Sequence, residues 1–314
     1  MTTYNILTVS LNPAIDTTIF TDGLSSEKIN SILDQRSDAA GKAVNIAKLL
    51  NNFNTEPNLV SFIGENNLDR YLSLFHSSAP NLKCDFIPVS GSVRENLHII
   101  LPAKDLVTLR QRGFSVSQHD IALLKEKILN KISDRTIVII SGRFPENFSS
   151  SDFRHLCDDI GSRGGMLALD SNSVTKDDIL YAKPFVIKPN LDELRDFTGL
   201  ALDDEKSIKN SLAELFGAGV KNILLSRGPD GIVYYGERGT LWARPPKINV
   251  MSTVGAGDSS LSGFILSYIN GDDIEKTLRS AVAFGSAAAM LPGTQSPKAS
   301  DIANIFSEIS VIDY

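Results

Sequence analysis

Asp258 ends the segment Gly255-Ala256-Gly257-Asp258, directly before a stretch whose apolar residues recur at helical spacing. This pattern predicts that Asp258 lies at or near a helix N-terminus, where unpaired backbone N–H groups and the helix dipole form an anion site. An acid beside a bound phosphate can accept the proton of an attacking hydroxyl, which contributes roughly 10²–10⁴ in rate. Taken alone, the same residues favour a simpler interpretation, an aspartate that caps a helix after a glycine turn. A dinucleotide fingerprint or a P-loop would need residues that this segment lacks.

Lys42 and Asn45 lie one helical turn apart, after the small-residue turn Ala39-Ala40-Gly41. Residues at this spacing share a helix face. A cation beside an amide suits a sugar phosphate or sugar hydroxyls. A solvated helix start explains the same residues.

Asn190 and Glu193 are three residues apart, after an apolar run that ends in Lys188-Pro189. Their oxygens could hold water bound to a metal ion. They could also form a capping box, which these residues alone favour. A later turn, Ser226-Arg227-Gly228-Pro229-Asp230-Gly231, could lie along a nucleotide's ribose and phosphates or be a β-turn without a ligand.

The elements that must position these segments follow from an alternation of β-rich apolar runs and helix-compatible stretches. The runs cover residues 5–9, 59–63, 137–141, 166–170, 185–188 and 222–226, and they predict a mostly parallel sheet covered by helices such as 121–132 and 208–216. A strand-like run at 247–251 precedes the Asp258 segment. Residues 15–20 and 92–112 break the alternation and predict a small additional sheet, a lid. Ligands in such folds collect at the carboxyl ends of the strands.

Composition narrows the class of protein. A chain of 314 residues without a linker-like stretch predicts one main domain, 1–314. A net charge of −6 argues against general nucleic-acid binding. The absence of a long apolar run or a signal-like start predicts a cytoplasmic protein that does not insert into a membrane. Two widely separated cysteines indicate a reduced compartment and no structural metal.

In this order, the four segments resemble the PfkB (ribokinase-like) family of carbohydrate kinases. The likeness begins at Asn12-Pro13-Ala14-Ile15-Asp16 and runs to the C-terminal helices. Each segment is weak alone, but the conjunction is specific. The opening segment, the turn around Lys42 and Pro245-Pro246 are most similar to the branch with fructose-1-phosphate kinase and tagatose-6-phosphate kinase. The resemblance implies a doubly wound α/β sheet with helices on both faces. It also implies a β-sheet lid, formed by about residues 13–36 and 90–113, through which a homodimer forms.

The resemblance also implies roles for individual residues in ATP- and Mg²⁺-dependent phosphoryl transfer. Asp258 would be the catalytic base, and the amides of Gly255, Ala256 and Gly257 an anion hole. The positions that match sugar-binding residues are Asp16, Gly41, Lys42, Asn45, Arg94, Asn96, Ser141 and Gly142. Those that match the ATP site are Lys188, Asn190, Glu193, Ser226, Gly228, Gly231, Thr253, Val254, Phe284, Gly285 and Ala288. Asn190 and Glu193 would act on magnesium through water.

Three positions depart from the family pattern. Ala43 replaces a glycine commonly found beside the lysine of the substrate turn. Arg143 stands where a small residue is usual, and either contacts a phosphate or forms a surface salt bridge. Met251 stands where potassium-binding relatives often place a cation-site residue, so we predict no monovalent-ion requirement.

The expected acceptor is fructose 1-phosphate, which would yield fructose 1,6-bisphosphate. Fructofuranose is nearly symmetric about its ring oxygen, so tagatose 6-phosphate and fructose 6-phosphate stay open as alternatives. The candidate phosphate cations are Lys42, Arg94, Arg110, Arg112 and Arg143. A non-catalytic sugar-phosphate sensor is a further alternative, disfavoured because Asp258 and the anion hole are both present. A nucleotide-linked oxidoreductase would need the missing glycine fingerprint.

Overall fold

The computed structural model describes residues 4–102 and 106–314, which form two sheets and the helices that cover them. The strands, in chain order, are β1 (Asn5–Ser10), β2 (Ala14–Thr21), β3 (Ile32–Ala40), β4 (Asn58–Gly64), β5 (Lys83–Val89), β6 (Arg94–Ile100), β7 (Leu106–Arg110), β8 (Thr136–Ser141), β9 (Met166–Asp170), β10 (Val186–Ile187), β11 (Asn222–Ser226), β12 (Ile232–Gly236), β13 (Gly239–Arg244) and β14 (Ser310–Asp313). The helices are α1 (Lys42–Asn52), α2 (Leu68–Ser78), α3 (Gln118–Leu129), α4 (Ser150–Ser162), α5 (Lys176–Ala182), α6 (Leu191–Thr198), α7 (Glu205–Gly217), α8 (Ala256–Ile269), α9 (Ile274–Ala289) and α10 (Ala299–Phe306).

The larger sheet has ten strands in the order β14-β13-β12-β11-β10-β9-β8-β1-β4-β5. From β11 to β5 all neighbours pair in parallel, and β12, β13 and β14 extend the other edge antiparallel. This confirms the predicted mostly parallel α/β sheet and each of its six predicted runs. Because parallel strands end at one edge, the residues that follow β8, β9, β10 and β11 are brought together there.

Alternation along the strands builds a core on each face of this sheet. In β8, Ile137 and Ile139 join one buried cluster, whereas Val138 and Ile140 join the other. The first cluster includes residues of α1, α8, α9 and α10, and the second includes residues of α3 to α7. Helices therefore cover both faces, as the doubly wound architecture requires.

The smaller sheet has four strands in the order β3-β2-β6-β7. Strand β2 pairs with β6 in parallel, and β3 and β7 join antiparallel at the two edges. The small additional sheet predicted from 15–20 and 92–112 is thus confirmed, and β3 extends it up to the start of α1. Residues 103–105 of the predicted lid lie outside the described residues.

Two predicted helices are confirmed with shifted ends, and one predicted strand is wrong. Helix α3 begins at Gln118, because Ser117 and Asp120 form a capping box ahead of the first apolar residue. Residues 247–251 form no strand. Pro245 and Pro246 precede this segment and cannot donate hydrogen bonds to a sheet. Strand β14 already occupies the edge beside β13, and the N–H of Met251 donates instead to the carbonyl of Ala289 in α9 (2.9 Å). Among the described residues, no helix combines the length and apolar character that crossing a bilayer requires.

Candidate active site

Asp258 is the third residue of α8, which confirms its predicted place at a helix N-terminus. Gly255 precedes the helix with φ 80°, a left-handed conformation that glycine adopts without strain. Within the described residues, the Asp258 carboxylate accepts no hydrogen bond from its own helix; its Oδ2 accepts from Asn45 Nδ2 of α1 at 3.0 Å. The interpretation of Asp258 as a simple helix cap is therefore wrong.

Burial sets the acidity of Asp258, whose residue is only 6% exposed. Removal from water and the nearby negative charge of Asp170 both raise the pKa of this carboxyl. The attraction of Lys42 and the hydrogen bond from Asn45 oppose them, and the resulting pKa is about 6. A carboxyl with this pKa is mostly ionised at neutral pH, yet basic enough to take a proton in a transition state.

Asp170 ends β9 and lies between two lysines beside Asp258. Its Oδ1 is 3.0 Å from Lys42 Nζ and its Oδ2 is 3.4 Å from Lys188 Nζ. Burial alone would raise the pKa of Asp170, but Lys188 and Lys42 outweigh it and hold that pKa below its ordinary value. Burial alone would lower the pKa of Lys42. The nearby carboxylates of Asp170, Asp258 and Glu193 outweigh this effect, so the pKa of Lys42 is raised. Asp170 and Lys42 are therefore both charged at neutral pH.

Sequence reasoning did not identify Asp170. The available signal was its position at the carboxyl end of the predicted strand 166–170, the edge where ligands collect.

Two glycines lie beside the lysines of the site. A Cβ on Gly257 would lie 2.9 Å from Lys188 Nζ, so the glycine lets this ammonium reach the first turn of α8. Gly142 (φ 101°) follows β8 and would place a Cβ 3.7 Å from Lys42 Cβ. The N–H of Gly142 and the hydroxyl of Ser141 both donate to the carbonyl of Asp170, at 3.0 and 3.1 Å. The predicted substrate loop is thereby joined to the lysine pair.

The turn before α1 packs on the start of β2. Gly41 has φ 122°, and a Cβ there would lie 3.1 Å from Pro13 Cα. Ala43, the departure from the family pattern, is fully buried. Its extra methyl group therefore points into the protein.

Buried polar residues line one face of the four-stranded sheet. Asn96 Nδ2 donates to Asp16 Oδ1 (2.6 Å), and Arg94 Nη1 donates to Asn96 Oδ1 (3.3 Å). Arg94 Nε also donates to the carbonyl of Asn12, beyond the end of β1 (3.3 Å). The predicted sugar-binding residues of β2 and β6 therefore form one network tied to the central sheet.

Three guanidinium groups lie near each other beside this network. Burial lowers the pKa of Arg94, and repulsion by Arg143 and Arg110 adds to this effect. The attraction of Asp16 opposes it but does not outweigh it. Within residues 4–102 and 106–314, no carboxylate lies within 4.0 Å of any of these three guanidiniums, whereas Arg112 is 4.0 Å from Glu146. Among the described residues, the surface salt bridge that was the alternative for Arg143 is not formed.

Asn190 and Glu193 form the capping box of α6. Glu193 N donates to Asn190 Oδ1 (2.8 Å), and Asn190 N donates to Glu193 Oε2 (2.9 Å). Glu193 also lies close enough to Lys42 to raise its pKa. The described residues contain no group of three or more acidic, histidine or cysteine side chains placed to hold a metal.

The other predicted nucleotide residues border the same edge. Ser226 N donates to the carbonyl of Pro189 (2.8 Å), and the turn after β11 closes through Arg227 N to the Gly231 carbonyl (2.8 Å). Gly228 is exposed in that turn. Thr253 is exposed and Val254 half-buried just before α8.

Phe284, Gly285 and Ala288 are buried in α9. A Cβ on Gly285 would lie 2.1 Å from Ser260 Oγ of α8, and the Phe284 ring is 4.8 Å from that of Phe53. These residues pack the helix that carries Asp258. Their predicted contact with the base of ATP stays a prediction.

Comparisons with known proteins identify the relatives of this chain. The sequence profile of the pfkB family carbohydrate kinases matches residues 5–301. The 1-phosphofructokinase of Borreliella burgdorferi is 31% identical over 286 residues, covering 91% of this chain and 92% of the relative. That of Vibrio cholerae is 28% identical over 291 residues, covering 93% and 91%. The crystal structure of phosphofructokinase-2 from Escherichia coli in complex with potassium superposes on this chain with a TM-score of 0.89. The two sequences are 22% identical, and the superposition covers 97% of this chain and 99% of that one.

Proposed function

Since the chain belongs to the pfkB family of carbohydrate kinases, we propose that it transfers the γ-phosphoryl group of ATP to fructose 1-phosphate and forms fructose 1,6-bisphosphate. One observation carries the proposal. A buried carboxyl of raised pKa, Asp258, lies at a glycine-rich helix N-terminus with Lys42 and Lys188 beside it. This arrangement combines a base with positive charge at one point, as phosphoryl transfer to an alcohol requires.

In this mechanism Asp258 accepts the proton of the sugar hydroxyl while the hydroxyl oxygen bonds to the γ-phosphorus. The bond between that phosphorus and the β,γ-bridging oxygen breaks, and ADP leaves with its electron pair. The N–H groups of Gly255, Ala256 and Gly257 and the ammonium of Lys188 stabilise the charge on the transferred group. Asn45 fixes the carboxylate by its hydrogen bond.

The acceptor's own phosphate is assigned to the three guanidiniums of Arg94, Arg110 and Arg143. One guanidinium group can bind two phosphate oxygens at once. These three groups lack carboxylate partners among the described residues. Asp16 and Asn96 would hold sugar hydroxyls between this anchor and Asp258. With the phosphate fixed at one end of the sugar, the hydroxyl at the other end faces the base.

Magnesium fits this site as a companion of ATP. Glu193 uses Oε2 in the capping box, which leaves its other carboxylate oxygen for metal-bound water, and the Asn190 oxygen lies at the same helix end. When bound, the ion neutralises charge on the β- and γ-phosphates. The protein's own part is to orient the hydrated ion.

The four-stranded sheet is proposed to act as a lid of the single domain 1–314, formed by about residues 13–36 and 90–113. Its polar face carries Asp16, Arg94 and Asn96, so closure over the acceptor would exclude water and protect ATP from hydrolysis. The free thiols of Cys84 and Cys157 suit the reducing cytoplasm in which we place the protein.

An assay of ATP consumption against a panel of acceptors tests this function. We expect fructose 1-phosphate to give the highest kcat/KM, with tagatose 6-phosphate and fructose 6-phosphate below it. Unphosphorylated fructose should be at least about a hundredfold poorer, because the arginines would be left without their anion. A preference for unphosphorylated sugar would contradict the proposal, and a preference for either 6-phosphate would reassign the acceptor.

We also propose that two chains pair through the lid. Its two edge strands, β3 and β7, expose large apolar side chains, among them Ile32 (57%), Leu33 (66%) and Leu109 (54%), and a partner chain would cover them. Sedimentation should therefore show a dimer, and the double substitution Leu33→Asp with Leu109→Asp should yield monomers. Leu200→Asp, at an exposed leucine outside the lid, is the control. A monomeric unsubstituted chain would contradict this pairing.

A further inference from the structure

Asp170 is a buried charge that the proposed chemistry does not use. Its residue is 2% exposed, and its carboxylate is shared by two ammonium groups at 3.0 and 3.4 Å. The two lysines differ in accessibility, since the side chain of Lys42 is 38% exposed and that of Lys188 only 6%. A buried charge costs free energy unless its partners compensate it, and such a cluster therefore has to be explained by what it holds in place.

The two lysines serve different ends of the site. Lys188 reaches over Gly257 at the first turn of α8, where the transferred phosphoryl group would bind. Lys42 starts α1 and lies beside Gly142, in the predicted substrate loop. Without a carboxylate between them, two ammonium groups this close to one point would repel each other. The carbonyl of Asp170 also accepts hydrogen bonds from Ser141 and Gly142.

We infer that Asp170 is a positioning residue, which holds Lys42 on the acceptor side and Lys188 on the donor side of Asp258 at the same time. The inference rests on the proposed function. By separating the two cations with one negative charge, Asp170 keeps both near the path of phosphoryl transfer before the phosphates bind. Its charge also acts on Asp258, together with Lys42, Lys188 and the Asn45 amide.

Asp170→Asn tests this inference because it keeps the size of the side chain and removes the charge. The acid limb of kcat/KM for fructose 1-phosphate should move to lower pH by roughly half a unit or more, since Asp258 loses a negative neighbour and its ionised form is favoured. The value of kcat/KM at neutral pH should also fall by about tenfold or more, because the lysines lose their common anchor. A merely structural residue would lower stability and leave the acid limb in place.

Asp178→Asn is the control. Asp178 is also fully buried and paired with an arginine (Arg154, 2.7 Å), but it belongs to α5 and does not act on Asp258. This variant should be less stable with an unshifted acid limb. An Asp170→Asn protein that folds and keeps the wild-type limb would overturn the inference. Absence of transfer by the wild-type chain would instead overturn the proposed function.

Asp170→Glu decides the matter if Asp170→Asn does not fold. The glutamate keeps the charge and moves the carboxylate by one methylene group. The acid limb should then stay, while the KM for fructose 1-phosphate or for ATP rises by about threefold or more because the lysines are displaced. Wild-type KM values for both substrates would overturn the positioning role.

Discussion

Asp258→Asn should lower kcat with fructose 1-phosphate by at least about a hundredfold while ATP binding is largely unchanged. The amide has nearly the size of the carboxylate, so the packing of α8 is retained. It cannot accept the proton of the sugar hydroxyl, and the attack on the γ-phosphate loses its base. Steady-state turnover and calorimetric binding of ATP measure the two effects separately.

Asp152→Asn is the matched control for that variant. Asp152 is also the third residue of a helix, α4, but its carboxylate closes a capping box with Ser149 far from any lysine pair. It should cost some stability and leave kcat within about twofold of wild type. If Asp258→Asn also kept near-normal turnover, Asp258 would be rejected as the base.

Asp258→Asn should also stabilise the folded protein at neutral and higher pH. The pKa of Asp258 is about 6 in the folded chain and near its ordinary value in the unfolded one. The native state therefore binds more protons between about pH 4 and pH 6, and the free energy of unfolding decreases as pH rises through this window. Removing the ionisable group should raise the free energy of unfolding by about 3 kcal/mol above pH 6 and by nothing below pH 4.

Lys188→Met is the second substitution with a large expected effect. Lys188 is buried, and methionine matches much of its stem, so the change removes mainly the ammonium beside Gly257 and Asp170. Loss of one donor to the transferred phosphoryl group should lower kcat by roughly 10²–10³. Rapid measurement of fructose 1,6-bisphosphate formation at saturating ATP reports this loss.

Lys83→Met serves as its control, because Lys83 pairs with Glu56 on the surface (2.7 Å) at the start of β5, at the opposite end of the parallel strands from the site. Exposed pairs of this kind contribute less than about 1 kcal/mol, so both activity and stability should stay close to wild type. A Lys188→Met enzyme with wild-type kcat would show that the ammonium takes no part in stabilising the transferred group.

The sequence was most informative where one local pattern determines the structure. Short β-rich apolar runs located the strands of the parallel sheet, and the apolar periodicity after Asp258 located α8. The segment 247–251 shows the limit, because its composition suits a strand, but in the folded chain the N–H of Met251 donates to the carbonyl of Ala289 in α9. Pairing partners are set by tertiary structure, and composition does not report them.

The site was predictable to a similar degree. Asp258, Lys42 and Asn45 stood in recognisable segments, and the structure brings them together through α1 and α8. Asp170 was missed because an aspartate at a strand end has no distinctive neighbours in sequence. Its role follows from its two lysine partners. Lys42 lies 128 positions before it, and Lys188 lies at the end of the adjacent strand. Among the described residues Arg143 has no carboxylate partner, and this too depends on contacts that spacing in the sequence does not report.

The central claim is that Asp258 takes the acceptor's proton, and single-turnover transfer measured against pH tests it most directly. With enzyme in excess over fructose 1-phosphate and saturating magnesium and ATP, the wild-type rate constant should fall as pH drops through about 6. The Asp258→Asn enzyme should be slow and show no such limb. A variant that transfers phosphate at the wild-type rate, or keeps the same acid limb, would contradict the account.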